Sequence, residues 1–305
     1  PDGLAPFRDR LDEACGHALR AAEGLRTAAA SDNPVVGAYR ALRHASRGVE
    51  ALYPMAAALP AIGRYFLEPA LRDDAALAAK LKSPRLDTGP MHAANETSER
   101  GGFSVYVPEY NDPAVPAPLI FALHGGSGHG RLFLWNWVRE ARGRGAIVVA
   151  PTSPDGTWSL MDPQTDIDHL GRVLTEIRGR WAVDPARMLL TGMSDGGTFT
   201  LLAGLDADSP FTHLAPVAAS FHPLLLAVSE PERIRGLPVL LTHGARDWMF
   251  PVHVGRSAAQ ALRAAGAAVE YREIADLSHS YPRNENGGIM DWFLNNPIGG
   301  PRGAP

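Results

Sequence analysis

The stretch Arg187-Met-Leu-Leu-Thr-Gly192-Met-Ser194-Asp-Gly196-Gly-Thr-Phe-Thr-Leu-Leu-Ala203 decides how this chain is read. An apolar run reads as a strand. G-x-S-x-G follows at 192–196, and an apolar run of helical character comes next. Strand, tight turn and helix in that order are the setting of a nucleophile elbow. The turn is so sharp that side chains at the flanking positions would collide with backbone, and glycine at 192 and 196 removes them. The serine oxygen is lifted off the sheet end. The N-terminal N–H groups of the helix behind it point at developing negative charge. A five-residue pattern alone is weak; the elements on either side make it specific.

Reading outward, Leu119-Ile-Phe-Ala-Leu123 has the composition of a buried strand and runs into His124-Gly-Gly126-Ser-Gly128. Such a loop brings bare backbone N–H groups close to a ligand oxygen. The Gly126 and Asp195 N–H groups are therefore the candidate oxyanion hole. Leu237-Pro-Val-Leu-Leu-Thr242 is another strand, ending in His243-Gly-Ala-Arg-Asp247-Trp248. An aspartate there more often caps a turn, but it can also reach across to a histidine. Ala268–Ile274 alternates like a final strand, and Asp276-Leu-Ser278-His279 follows it. Ser194, Asp247 and His279 thus stand in the chain order Ser, Asp, His, each after its own strand.

These residues carry a resemblance. The chain is similar to the α/β-hydrolase superfamily, within it to the phospholipase/carboxylesterase group and to polyhydroxybutyrate-depolymerase and feruloyl-esterase-like enzymes. The matching stretches are Leu123–Gly128, Val183–Met188 leading into Thr191–Gly197, His243–Asp247 and Ser278-His279. Two positions depart from those groups: Ser278 stands where glycine often precedes the histidine, and Asp195 where Asn, Gln or Ala is common. The Asp195 side chain is expected to point away from the oxyanion. The resemblance implies a serine hydrolase cleaving carboxylic esters through an acyl-enzyme, with Ser194 as nucleophile, His279 as base and Asp247 as its acid. A polyester depolymerase, a feruloyl esterase or a thioesterase on the same triad stays open, as does an inactive hydrolase fold that binds a partner. Trp158, His222 and Trp248 lie near strand ends and are candidate substrate contacts.

Composition excludes other classes. A net charge of −4 gives no electrostatic case for nucleic acid. No apolar run reaches the ~18 residues of a membrane helix. Eleven histidines are present without tight metal-ligand spacing, so neither metal nor cofactor is expected. Cys15, the single cysteine, is read as a small buried side chain on a helix and permits no internal disulfide. The sequence begins at Pro1, which is compatible with removal of an upstream signal segment and leaves cytoplasmic and secreted locations equally open. The partner expected is a small-molecule or polymeric ester.

The chain divides into a helical region over residues 1–86 and a hydrolase domain over 87–305. Two apolar stripes mark the first: Leu4, Phe7, Leu11, Cys15, Ala18, Ala22 and Leu25, then Val35, Tyr39, Leu42, Val49 and Leu52. Asp32-Asn33-Pro34 starts the second helix. These stripes are expected to be buried on the hydrolase domain or in a homodimer, as a cap, flank or dimer contact. From residue 87 strands alternate with helical patterns, which indicates a mostly parallel sheet covered on both faces. Strands are expected at 88–93, 103–107, 119–123, 146–149, 188–191, 214–220, 239–242 and 269–274, the first two as an antiparallel edge. The Gly/Pro-rich tail 296–305 is expected to be loose.

Overall fold

Apolar runs bounded by proline and glycine become eight strands: β1 Gly89–Ala93, β2 Phe103–Val107, β3 Ala117–Leu123, β4 Ile147–Pro151, β5 Val183–Met193, β6 His213–Val217, β7 Pro238–Gly244 and β8 Ala268–Ile274. The computed structural model describes residues 5–82 and 85–296, so the tail expectation lies outside the described residues apart from Asn296. The chain forms two compact units, Pro1–Pro84 and Arg85–Pro305.

In the second unit one eight-stranded sheet has the order β1-β2-β4-β3-β5-β6-β7-β8. β1/β2 and β2/β4 are antiparallel, and every other pair is parallel. The alternating strand and helix pattern dictates this, because a parallel neighbour needs a crossover and the crossover helices cover the faces. β4 and β6 are buried along their whole length, and β7 at all but its first residue. β8, at the edge, has no buried residue. Helix Gln164–Arg180 presents Leu170, Val173, Leu174 and Ile177 to the core, a 3.6-residue stripe. The strand order reverses around β3, which lies between β4 and β5. The crevice beyond the carboxyl ends of β3 and β5 is therefore the topological switch point, where open α/β sheets bind ligands. In β3/β5 pairing Leu123 is opposite Gly192, so the segments after both residues leave the sheet side by side.

The first unit is built on a helical hairpin, Ala5–Ala28 and Pro34–Leu52. Asn33 caps the second helix by accepting from the Val36 N–H at 3.1 Å, with Pro34 in the first turn. The seam differs from expectation. Ala14, Ala21 and Ala28 of the first helix and Ala41, Gly48 and Ala51 of the second are the buried residues, whereas Leu11, Leu25, Val35, Tyr39, Leu42 and Cys15 are exposed. Small residues won because they let the two backbones approach closely. A Cβ on Gly24 would lie 2.7 Å from the Ala41 Cβ, and one on Gly48 3.3 Å from the Ala14 carbonyl oxygen. Larger side chains are turned outward, and Cys15 lies next to the seam rather than in it.

Candidate active site

β5 ends at Met193, and helix Asp195–Gly204 begins two residues later. Ser194 joins them at φ +56° and ψ −119°, a left-handed conformation that a non-glycine residue rarely adopts. Its N–H donates to the Val217 carbonyl of β6 at 3.0 Å, which fixes the turn to the sheet. A Cβ at Gly192 would lie 2.5 Å from the Gly196 carbonyl, and one at Gly196 would overlap the His124 carbonyl. The two glycines are thus required by close backbone approach, and the second brings the loop after β3 against the elbow.

Three side chains from three strand ends meet here. The His279 Nδ1–H donates to Asp247 Oδ2 at 2.8 Å, and the Ser194 hydroxyl donates to His279 Nε2 at 2.9 Å. All three residues are buried. The other oxygen of Asp247, Oδ1, accepts from the Met249 and Phe250 N–H groups at 2.9 and 2.8 Å. This aspartate therefore caps its own turn and holds the histidine, combining the two roles read as alternatives. His243 supports the turn by donating from Nε2 to the Phe250 carbonyl at 2.8 Å. The Phe250 ring stands edge-on to His279 with centroids 5.3 Å apart.

The loop after β3 is braced around His124. Its Nδ1–H donates to the Gly125 carbonyl at 2.7 Å, and its Nε2 accepts the Ser153 N–H at 3.1 Å. Burial holds its pKa down to about 3, so this imidazole is a neutral brace rather than a proton carrier. Arg100 ties the same loops together, donating to the carbonyls of Gly128, Ser153 and Asp155. Asp195 opens its helix, so its N–H has no intrahelical acceptor. Neither this N–H nor that of Gly126 donates to another group among the described residues.

The Asp195 side chain does not point away. Its Oδ2 accepts from the Thr157 hydroxyl at 2.6 Å, and a Cβ on Gly126 would lie 2.7 Å from the same oxygen. The carboxylate thus lies against Gly126, on the loop that carries one of the two candidate oxyanion donors, because Thr157 offers the one-hydrogen donor that holds it there. Gly126, Thr157 and Asp195 line a cavity of about 490 Å³.

The remaining candidates separate. Trp158 borders this cavity but is packing rather than an open wall. It is 1% exposed, stacks on Phe199 and donates from Nε1 to the His124 carbonyl at 2.8 Å. His222 is exposed, and its Nδ1 accepts the Leu224 N–H at 3.2 Å, which is the work of a turn. Trp248 is 55% exposed with its ring 6.1 Å from that of His279. Sequence reading missed Phe250, Thr157 and Arg100. Phe250 is three residues past Asp247, a spacing that could have marked it. Nothing in the sequence links Arg100 or Thr157 to the elbow. Among the described residues no group of three His, Cys, Asp or Glu side chains could hold a metal ion, and no helix is long and apolar enough to cross a membrane.

A mostly parallel eight-stranded sheet with a serine elbow at its switch point is the α/β-hydrolase fold, which this chain shares with solved esterases. Within it, residues 168–295 match the phospholipase/carboxylesterase family. The chain is similar to a bifunctional acetylxylan esterase/xylanase of Neocallimastix patriciarum, 25% identical over 60% of this chain and 26% of that protein. It is also similar to feruloyl esterase C of Emericella nidulans, 24% identical over 57% of this chain and 63% of that protein. The chain thus spans less than two thirds of each relative's length. A butyrate-bound thermophilic esterase from Thermogutta terrifontis shares the fold at TM-score 0.53 and 18% identity, covering 70% of this chain and 94% of that one.

Proposed function

We propose that this protein is a serine hydrolase that cleaves carboxylic esters through an acyl-enzyme on Ser194. One observation carries the reading: an unbroken hydrogen-bonded chain from Ser194 Oγ through both nitrogens of His279 to Asp247, at 2.9 and 2.8 Å. It lies beside two backbone N–H groups with no other acceptor. The esterase relatives agree with the chemistry and leave the substrate open.

Ser194 Oγ attacks the acyl carbonyl carbon while its proton passes to His279 Nε2. Asp247 keeps the neutral ring protonated on Nδ1, so that Nε2 is the acceptor, and stabilises the imidazolium that forms. The carbonyl oxygen becomes an oxyanion and takes the N–H groups of Asp195 and Gly126. One such donor is worth about 3 kcal/mol in the transition state. The tetrahedral intermediate collapses as His279 returns the proton to the leaving alkoxide, which departs as alcohol. Water then repeats the sequence on the acyl-enzyme, releasing the acid and restoring Ser194.

The test is hydrolysis of 4-nitrophenyl butyrate together with labelling by a fluorophosphonate. The expected result is one phosphonyl adduct, mapped by mass spectrometry to Ser194, with turnover lost in Ser194→Ala. Undiminished turnover in Ser194→Ala, or an adduct elsewhere, refutes the proposal.

A further inference from the structure

An anion beside an oxyanion hole opposes the reaction unless something compensates it. The Asp195 carboxylate is fixed next to Gly126 by Thr157, so its own backbone N–H and its side-chain charge serve opposite ends. The Thr157 hydroxyl supplies one hydrogen bond and no charge. The cavity reached from this carboxylate also has Asp155 in its wall and no Lys or Arg. The Arg100 guanidinium behind that wall is turned to backbone carbonyls. The cavity wall includes both candidate oxyanion donors, Gly126 and Asp195, but not Ser194, His279 or Trp248. The leaving alcohol must stand beside His279 Nε2 to receive its proton, so the cavity lined by the two candidate oxyanion donors is left to the acyl part of the substrate.

From this we propose that Asp195 is a specificity-determining residue, and that its carboxylate selects esters whose acyl chain carries a positive charge. The cationic group would sit in the cavity against the Asp195 carboxylate, offsetting the repulsion between that carboxylate and the developing oxyanion. A neutral acyl chain leaves the repulsion uncompensated, and an anionic one adds to it. This rests on the serine hydrolase reading, and the controls keep the two apart.

The experiment compares three 4-nitrophenyl esters with one leaving group: a trimethylammonium-terminated acyl chain, its neutral tert-butyl isostere, and a carboxylate-terminated chain of similar length. For the wild type, kcat/KM is expected to fall in that order. Asp195→Asn keeps the backbone N–H and an oxygen to accept from Thr157 while removing the charge. The cationic-to-neutral ratio of kcat/KM should fall about tenfold in it. A distorted site would lower both esters together and leave the ratio unchanged. An unchanged ratio, or a wild type that takes the anionic ester as readily as the cationic one, overturns the proposal. Should Asp195→Asn not fold, the wild-type ratio at low and high salt replaces it. Screening should shrink the ratio, and a salt-independent ratio refutes the idea. Ser194→Ala separates the failures: if it is inactive on all three esters while the ratio fails, only the Asp195 proposal falls.

Discussion

Asp247→Asn offers a sharp test because the structure fixes which way the new amide must face. Oδ1 of Asp247 accepts two backbone N–H groups, from Met249 and Phe250. In the asparagine variant that position must be the carbonyl oxygen, since an NH₂ group there would face two donors. The amide nitrogen is then forced into the place of Oδ2, 2.8 Å from His279 Nδ1. It can only donate. His279 must accept at Nδ1 and carry its proton on Nε2, the nitrogen that faces Ser194. The base is then in the wrong tautomer. In the serine-protease precedent this costs about 10⁴ in kcat, or ~5.4 kcal/mol at 1.36 kcal/mol per decade. Folding should survive, because the turn keeps both hydrogen bonds. The assay is kcat on 4-nitrophenyl butyrate with a thermal melt in parallel. A normal melt with at least a tenth of the wild-type kcat would refute the reasoning and direct attention to another carboxylate, with Asp276 the first to replace.

Gly126→Ala places a methyl group 2.7 Å from Asp195 Oδ2; displacing that carboxylate and a candidate oxyanion donor should lower kcat about tenfold or more with KM little changed, as steady-state kinetics would read. His124 has its pKa lowered by burial to about 3, and burial also lowers His129, His169 and His213. A depressed histidine is protonated more readily in the unfolded chain, so its contribution is fully present above about pH 6.5 and is lost as pH falls towards 3. Thermal or urea melts from pH 7 to 4 should show His124 alone costing about 1.4 kcal/mol per pH unit below 6.5; unchanged stability down to pH 4 would contradict it. Gly24→Leu should destabilise the helical hairpin by about 1–3 kcal/mol, because even a Cβ would press on Ala41. Gly171→Ala, on an exposed helix face with nothing within 4 Å of the added methyl, should stabilise by about 0.5–1 kcal/mol. Urea melts followed by circular dichroism compare the two, and a shift of the same sign in both variants would undo the argument.

The sequence alone determined the parts that depend on neighbours along the chain. Apolar runs between prolines and glycines set eight strands, found within a few residues of their expected places, with β5 extending five residues further back to Val183. Asn33-Pro34 set a helix start that the structure shows capped. The glycines at 192 and 196 implied a turn with close backbone approach, and the Cβ clashes there supply the reason. These features are legible because propensity, capping and glycine geometry act over a few residues.

What only the tertiary structure decided concerns partners far apart in sequence. Asp195 was expected to point away, and Thr157, 38 positions earlier, holds it against Gly126 instead. Arg100 joins the loops around the elbow through backbone carbonyls, which leave no mark on residue identity. In the first unit the 3.6-residue period was correct, but the buried face was the alanine–glycine one. Hydrophobicity identifies which side chains gain from burial. How closely two backbones can approach decides which face is used, and that distance exists only once both helices are in place.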